Sequence, residues 1–496
     1  MRVVQQSQAR LGELPISDIK IDLKSRDDIP QILLGLQYLY THSELRDAVF
    51  RLLEAHIQPV IRKDNGRPGM DLWRIFVMGV LRLDLNWDYD RLQEQVNNHK
   101  TIRQMLGHAD IFDPHHYHLQ TLKDNVRLLT PELLDQINQV IVTAGHGLVK
   151  KKENGELRGR CDSFVVESNV HYPTDINLLF DAMRKVIALT SRLCEAHDLS
   201  EWRQYAYNTR QLKRLMREAQ KKKRGGGQSE TQNEKRRIRM VQAHQGYIET
   251  AIKHLDKARF TLHRLDETSQ LTAVERLRVL EIREYMAHAD RQIEQIERRV
   301  VNGESIPHEE KVFSIFEPHT EWIAKGKAGV PVELGLRVCV LEDQHQFLLH
   351  HRVMEKETDD QVAVRMVIET RERFAALASC SFDKGFHSPN NQKALSEHLE
   401  AVGLPRKGKR SEKVRELESS EAFRHARKKH SAVESAINAL GVHGLDRCPD
   451  KGIEGFKRYV SLAIIARNVQ RIGAILLEQE RNRLERKRKK QLRQAA

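Results

Sequence analysis

Strand-like segments occur at four places in this chain, and a long helical block separates the first from the others. They cover residues 158–170, 312–316, 331–353 and 377–383, where apolar residues alternate with polar ones or form short runs. Residues 176–300 instead carry apolar residues at helical spacing, with a period near 3.6. Strands and helices mixed in this order predict an α/β domain, in which a mixed sheet is flanked by helices and interrupted after its first strand.

The third strand-like segment predicts a hairpin. PVELGLRVCVL (331–341) alternates in character, the acidic segment 342–344 makes a turn, and QFLLHHRVM (346–354) runs back. Such alternation is typical of an antiparallel pair with one buried face. VFSIF (312–316) and AALASCSFD (375–383) predict two further short strands.

Residues 1–150 predict an all-helical N-terminal domain. The run 70–107 has helical apolar spacing that breaks at residues 86–88. Thr130 is a suitable N-cap for a later helix, with Pro131 at its first position. The pattern fits both a DNA-binding helix-turn-helix unit and an ordinary helical bundle.

The helical block 176–300 predicts an antiparallel helical hairpin or a small bundle with coiled-coil-like packing. A basic, glycine-rich segment, KKKRGGGQSE (221–230), breaks it. A solvated spacer accounts for the same pattern. The apolar positions that mark its first and last helices are Leu178, Leu179, Met183, Val186 and Ile187, then Val274, Leu277, Tyr285, Ile293, Ile296 and Val300.

The charge balance points to a polyanionic partner. The chain has 83 Lys and Arg residues against 69 Asp and Glu residues, a net charge of +14. This balance favours binding to nucleic acid or to an anionic membrane surface, although a lysine-rich soluble protein has the same composition. The tail, residues 476–496, predicts binding to phosphate backbones without sequence preference. Its central basic run is Arg486, Lys487, Arg488, Lys489 and Lys490.

Cysteine usage and apolar runs bear on the compartment. The five cysteines are far apart and form no CxxC pair, which argues against a zinc ribbon and predicts reduced thiols. The N-terminal segment MRVVQQSQARLGEL lacks the apolar core of a secretory signal. The longest apolar runs, 75–81 and 460–466, are too short to span a membrane. We therefore expect a cytoplasmic protein with no membrane partner.

The first strand contains an acid that needs a partner. In RGRCDSFVVESNVHYPTD (158–175), Asp162 and Glu167 flank an apolar run, but strand parity puts them on opposite faces. Asp162 shares its face with Phe164 and Val166, and a carboxylate on a buried face is costly unless a charged or hydrogen-bonding group meets it. We expect that partner to come from elsewhere in the chain, and Glu167 receives no role.

Asp383 is the first candidate partner, because it ends the last predicted strand in SCSFDKGFHSPNNQ. Functional groups in α/β sheets collect at the carboxyl ends of strands, so neighbouring strands can bring Asp162 and Asp383 together. Two close carboxylates repel each other unless a divalent cation lies between them. A pair of Mg²⁺ ions about 3.5–4 Å apart can activate a nucleophile and stabilise the leaving oxygen of a phosphodiester.

A third acid is expected from a helix packed on the sheet. Glu434 lies at the border of the core face of EAFRHARKKHSAVESAINAL (421–440), and Arg427, Lys428 and Lys429 occupy the preceding turns, where they could hold phosphates. Taken alone, the position of Glu434 is equally typical of an ordinary glutamate on a helix surface. The core-face positions of this helix are Phe423, Ala426, His430, Val433, Ile437 and Leu440.

Several segments together resemble successive blocks of bacterial insertion-sequence transposases of the DDE type, which have an RNase H-like catalytic domain. The blocks occur in the family's order and span about residues 60–475. They are DSFVVESNVHYPTD, SIFEPHTEWIAKGKAGVPVELGLRV (314–338), FDKGFHSPNNQ and HGLDRCPDKGIEGFKRYVSLAIIARNVQRIG (443–473). GRPGMDLWRIFVMGVLRLDLNWDYDRLQEQV, which begins at residue 66, resembles that group's N-terminal domain.

The resemblance assigns three catalytic acids by position. Asp162 matches the family's first-strand aspartate, Asp383 its fourth-strand aspartate in D-K-G-F, and Glu434 its helical glutamate in K-K-H-S-x-V-E. The tyrosine-arginine-glutamate-lysine signature of related groups is not met. Arg427, His430 and Gly441 stand at its three flanking positions. Glu454 is the runner-up for the third acid, and its glycine-rich surroundings predict a loop.

The resemblance implies a domain order and a function. The expected domains are a helical DNA-binding domain at 1–150, an RNase H-like catalytic domain at 151–175 and 301–475, a helical insertion at 176–300 and a basic tail at 476–496. Two Mg²⁺ ions, with Mn²⁺ as an alternative, would be held by Asp162, Asp383 and Glu434. The implied enzyme binds the terminal inverted repeats of its element, cleaves them and joins the freed 3′-hydroxyl to target DNA.

The implied partners are double-stranded DNA, as element ends and target, and a second copy of the chain that pairs two ends as a homodimer at the bacterial nucleoid. Two other readings stay open at this point. A degenerate transposase or an architectural protein would bind nucleic acid without cutting it. An RNase H-like structure-specific nuclease would cut branched DNA without joining ends.

Overall fold

The computed structural model describes residues 3–5, 12–57, 69–109, 113–149, 155–223, 229–268, 270–324, 331–408 and 412–495. Residues 66–68, at the start of the segment GRPGMDLW, and residues 224–228 of the glycine-rich break lie outside these residues. The chain divides into two compact units. The first unit comprises residues 1–169 and 323–496, and the second comprises residues 170–322.

The first unit carries a mixed sheet of seven strands among the described residues, in the order β2-β3-β1-β5-β6, with β4 on β3 and β7 on β1. The central strand β1 is antiparallel to β3 and parallel to β5. This confirms the coarse prediction of an α/β fold with a mixed sheet. The strands are β1 (Leu157–Ser168), β2 (Glu321–Ala324), β3 (Val332–Glu342), β4 (Leu348–Met354), β5 (Leu377–Phe382), β6 (Ala401–Gly403) and β7 (Arg447–Cys448).

Helices of the first unit precede the sheet, lie between its later strands and follow it in sequence. The first group is α1 (Ile29–Thr41), α2 (Ser43–Ile57), α3 (Leu72–Asp84), α4 (Tyr89–Asn98), α5 (Lys100–Met105), α6 (Leu119–Val126) and α7 (Pro131–Leu148). After the second unit, which contains α8 to α11, come α12 (Asp359–Arg373), α13 (Pro389–His398), α14 (Glu412–Ser419), α15 (Glu421–His430), α16 (Ala432–Leu440) and α17 (Gly452–Ala495).

Several predicted boundaries are confirmed by local hydrogen bonds. The break at 86–88 is present, with Asn86 in the left-handed region at φ 48° and Asp88 capping α4 by accepting the Arg91 N–H. The Thr130 hydroxyl accepts the Leu133 N–H at 3.3 Å, so α7 begins where its N-cap predicts. The hairpin of β3 and β4 is confirmed, with Val340 opposite His351.

Two element predictions differ from the structure. VFSIF (312–316) is not a strand, because the Ser314 hydroxyl accepts the N–H groups of Phe316 and Glu317 and turns the backbone there. The predicted helix 421–440 is broken at Ser431 into α15 and α16. This break matters for function because the candidate Glu434 then lies in the first turn of a new helix.

The predicted N-terminal domain shares one hydrophobic core with the sheet and with α17. Asn468 of α17 bonds both backbone groups of Leu348 in β4 and donates to Asn138 of α7 at 2.7 Å. Residues predicted as separate domains, 1–150 and 301–475, therefore pack into the same unit. The physical reason is that the apolar faces of α1, α3 and α7 are covered by α17 and β4.

Helix α17 is long and apolar enough over part of its length to cross a membrane, but 67% of that stretch is buried inside the protein. Core helices of soluble proteins have the same profile. Its burial is explained by close approach to α1, where a Cβ on Gly473 would lie 2.0 Å from the Gln31 carbonyl oxygen. Beyond Ile475 the helix is largely exposed and carries the predicted basic tail.

The second unit is a helical bundle with its own core. Its last helix buries Val279, Ile282, Met286, Ala289 and Ile293, whose 3-4-3-4 spacing is typical of coiled-coil packing. Val274 and Leu277 lie on the predicted helix but off this face, and they are 66% and 67% exposed. The helices are α8 (Asp175–Ala196), α9 (Tyr205–Lys223), α10 (Glu230–Thr268) and α11 (Ala273–Ile296).

Candidate active site

The pairing of β1 with β5 brings the two predicted aspartates side by side. Arg160 is level with Ser381, and Cys161 is level with Phe382. Asp162 and Asp383 are each the next residue, so continuation of this parallel register puts their Cα atoms roughly 5 Å apart. Asp383 is exposed where β5 ends, while Asp162 is half-buried because β1 continues past that point.

Asp162 is half-buried and lies near other carboxylates. Burial raises its pKa to about 6, the N–H of Ser163 counteracts this at 2.8 Å, and the charges of Asp383, Asp359 and Glu434 raise it further. An aspartate surrounded by three other carboxylates is a poor structural residue. Sequence reasoning predicted two of these three neighbours.

Glu434 lies in the first turn of α16, exposed to solvent. The preceding helix is held on the sheet by His430, whose Nδ1 lies 3.1 Å from the Ser381 hydroxyl of β5. Burial lowers the pKa of His430, and the charges of Asp383 and Glu434 oppose that shift. His430 is thus the contact that brings the acid of α16 towards the acids of β1 and β5.

Asp359 is the neighbour that the sequence analysis missed. It begins α12, and its Oδ1 accepts a 2.6 Å hydrogen bond from the Ser163 hydroxyl, next to Asp162. Its Oδ2 lies close to Gly385, where an added Cβ would be 3.2 Å away. Asp359 therefore contacts both acid-bearing segments. The only signal was its place after the N-cap Thr358, which predicts a helix start and nothing more.

The SPNN segment after Asp383 also has a structural explanation. The side chain of Asn391 is buried and donates to the carbonyl oxygens of Asp360 at 2.6 Å and Phe386 at 2.9 Å. These bonds fasten the loop after Asp383 to the start of α12. The loop cannot move away from Asp359 without breaking them.

The carboxylates match the oxygen donors that Mg²⁺ prefers. Asp162 of β1, Asp383 after β5 and Glu434 of α16 each supply a carboxylate, and the pKa of Asp162 is raised by burial and further by the charges of Asp383, Asp359 and Glu434. Within the described part of the chain, no three His, Cys, Asp or Glu side chains converge closely enough to hold a metal ion as they stand. The residue types and charges fit a divalent cation, and the side-chain positions require adjustment to bind one.

A buried ion pair lies behind Asp162 on the same face of β1. Arg160 is 8% exposed, lies 2.8 Å from a Glu342 carboxyl oxygen and also donates to the Asp343 carbonyl. Burial raises the pKa of Glu342 to about 7, and the charge of Arg160 opposes this shift. The arginine nearest in sequence to Asp162 is therefore engaged by Glu342.

Glu167 acquires a role that the sequence did not predict. It forms an ion pair with Arg447 of β7 at 2.7 Å, across the short parallel pairing of β1 with β7. Both side chains are partly exposed, so the pair adds little to stability. The runner-up acid Glu454 lies in the first turn of α17 instead of the predicted loop. It is not among the groups whose charges raise the pKa of Asp162.

The predicted phosphate-binding residues fall into two separate places. Arg427, Lys428 and Lys429 are exposed in the last turn of α15, beside His430. The tail residues are exposed on α17, and they begin roughly 16 Å along the helix from the last core residue, Ile475. The tail residues are Arg486, Lys487, Arg488, Lys489 and Lys490.

A groove of about 1140 Å³ opens beside this part of the sheet. Its walls include Ser163, Phe164 and Val165 of β1, Asn438 of α16 and Arg447 of β7. The three predicted acids do not line it, although Ser163 links it to Asp162 and Asp359. The groove provides room for an extended ligand along β1.

The histidine-rich segment PHHYHLQ (114–120) contacts the buried His108 through His115 and Tyr117. His108 is buried between Asp113, at 2.6 Å, and the Tyr117 hydroxyl, at 2.7 Å. Burial lowers the pKa of His108 to about 4, with the hydrogen bond to Asp113 opposing the shift. His115 stacks on the same ring. Both ring nitrogens of His108 are thus engaged in hydrogen bonds.

Replacement of Asp162 by asparagine is expected to stabilise the metal-free protein at high pH. Because its pKa is about 6 in the folded chain and 3.8 ordinarily, the folded state binds the extra proton between these values. Stability therefore falls as pH rises through pH 4 to 6 and stays lower above it, by at most about 3 kcal/mol.

Thermal unfolding at pH 4 and pH 8 in EDTA measures this effect. The Asp162→Asn variant should match the wild type at pH 4 and unfold at a higher temperature at pH 8. Addition of Mg²⁺ should then raise the unfolding temperature of the wild type and leave that of the variant unchanged. If the variant were less stable than the wild type at pH 8, this would contradict the claim that the ionised Asp162 side chain destabilises the folded state.

No protein-family model, no curated protein and no solved structure matches this chain.

Proposed function

We propose that the chain is a DNA transposase that cuts the ends of its own insertion element and joins them to target DNA. The observation that carries this proposal is the half-buried Asp162, whose pKa is raised by burial and further by the charges of Asp383, Asp359 and Glu434. The mixed sheet supports an RNase H-like catalytic domain. In it Asp162 lies on the first strand, and Asp383 follows β5, the fourth strand when the short β2 is left aside.

Each of these residues would have a distinct role in the reaction. Asp162 of β1, Asp383 at the end of β5 and Glu434 would hold two Mg²⁺ ions, and ions bound there would supply activation of the attacking oxygen and neutralisation of charge on the phosphodiester. Asp359 would hold Ser163 and the loop after Asp383 in register. Arg427, Lys428 and Lys429, exposed beside His430, would bind neighbouring phosphates.

The remaining assignments follow from the same proposal. The basic tail would add sequence-independent affinity for DNA, and two copies of the chain would pair the two ends of the element. The buried state of the apolar part of α17 supports a soluble protein, which would act in the cytoplasm at the nucleoid. The groove beside β1 would accept one strand of the DNA.

The test is a cleavage assay on duplex DNA that carries the sequence flanking the coding region. We expect Mg²⁺-dependent nicks at the ends of short inverted repeats, leaving 3′-hydroxyl groups. DNA binding without cleavage would favour the architectural reading. Cleavage that follows branched structure and ignores the repeat sequence would favour the nuclease.

A further inference from the structure

Helix α9 in the second unit has two opposite faces of different chemistry. Leu212, Met216 and Ala219 are buried against the bundle. The opposite face carries five basic residues, all exposed, at spacings that keep them within about one third of the helix circumference. They are Arg210, Lys213, Arg214, Arg217 and Lys221, and we call them the α9 basic stripe.

The α9 basic stripe lacks acidic partners. Among the described residues, none of its five side chains lies in an ion pair or in a hydrogen bond to an acid. Some basic residues elsewhere in the same unit are paired with acids, as Arg259 is with Asp290 at 2.7 Å and Arg283 is with Asp266 at 2.7 Å. The α9 basic stripe therefore presents five exposed positive charges on one helix face.

The stripe also repels itself. Arg210 and Arg214, Lys213 and Arg217, and Arg217 and Lys221 are each four residues apart, where like charges destabilise a helix. Glu218 is the one acid within the same span, and it forms no ion pair at 4.0 Å or less with the stripe. A bound polyanion would relieve this repulsion, which a solvated face leaves in place.

We propose that the α9 basic stripe binds the phosphate backbone of duplex DNA. The choice of duplex DNA rests on the proposed function; the surface itself is independent of the candidate active site. The stripe is roughly 16 Å long, and a duplex of that length carries on the order of ten phosphates. An anionic membrane fits less well, because the apolar face that would insert between lipids is buried in the bundle.

The test compares two variants of the full chain that lose the same charge. One replaces Arg210, Arg214 and Arg217 by glutamine, and the control replaces Arg276, Arg278 and Arg283 of α11 by glutamine. Glutamine has nearly the helix propensity of arginine, so both should fold, and circular dichroism checks this. Fluorescence anisotropy then measures binding to a labelled duplex of arbitrary sequence over a range of KCl concentrations.

We expect the stripe variant to reduce the slope of log K against log salt by about 3, one contact for each charge removed. The α11 control should keep the slope of the wild type. Equal salt slopes in the two variants, with the wild type binding DNA, would overturn the assignment of the stripe to DNA and would leave the proposed function standing. A wild type that fails to bind duplex DNA would overturn both the stripe and the proposed function.

Vesicles that contain phosphatidylserine form a separate arm of the experiment. We expect no binding of the wild type to them under salt conditions in which it binds DNA. Vesicle binding that is lost in the stripe variant, together with unchanged DNA binding, would overturn the assignment of the stripe to DNA.

Discussion

The Asp383→Asn variant is expected to lose DNA cleavage by more than about 100-fold while still binding DNA. Even residues that only orient metal ligands cost 10–100-fold when replaced, so a direct ligand should cost more. Asp383 is exposed at the end of β5, and asparagine has almost the same shape. The variant should therefore fold normally, and its loss of activity should reflect the missing charge.

A matched control uses another exposed aspartate of the same unit. Asp124 lies exposed on α6 and, among the residues that the structure describes, accepts one surface hydrogen bond, from Gln120. Asp124→Asn should cut DNA at the rate of the wild type. If Asp383→Asn retained cleavage, the metal site would be excluded, and if it lost DNA binding in parallel, a structural role would explain the loss.

The second large effect is on stability. Gly145→Ala in α7 is expected to lower the free energy of unfolding of the first unit by about 2–3 kcal/mol, the upper part of the range for overpacked cores. An added Cβ would lie 2.2 Å from Cζ of Phe347, at the start of the return strand β4. That ring is fully buried, and the backbone N–H of Phe347 is bonded to Asp343, so it has no space to withdraw.

Gly147 on the same helix provides the control, because nothing lies within 4 Å of its added Cβ. Gly147→Ala should raise stability by about 0.5–1 kcal/mol through helix propensity alone. Urea unfolding followed by circular dichroism compares the two. Equal shifts in the two variants would contradict the shared core of α7 and the sheet.

The strands that carry the acids could be predicted from sequence because their signals are local. Alternation in β3 and β4 defined the hairpin, and the change from apolar residues to D-K-G after Phe382 marked the end of β5. Asp162 was singled out by parity on β1. These patterns depend on neighbours within a few residues, which the sequence displays directly.

The missing parts depend on contacts between distant residues. Asp359 meets Ser163 across 196 residues, and nothing near Asp359 distinguishes it from an ordinary helix start. The packing of residues 1–150 onto the sheet could not be predicted for the same reason, since apolar spacing in α7 indicates that a face is buried without indicating that β4 and α17 cover it. The strands β6 and β7 have three and two residues, too few to produce a pattern.

The most direct test of the central claim is a joining reaction with pre-cut element ends. Duplexes that end in a 3′-hydroxyl at the inverted repeat would be incubated with the wild-type chain, a supercoiled plasmid and Mg²⁺. We predict plasmid products covalently joined to the ends, absent in EDTA and absent with Asp383→Asn. Plasmid nicking without joined products would contradict the transposase proposal and indicate a nuclease. DNA binding without any reaction would contradict it as well and indicate a non-catalytic DNA-binding protein.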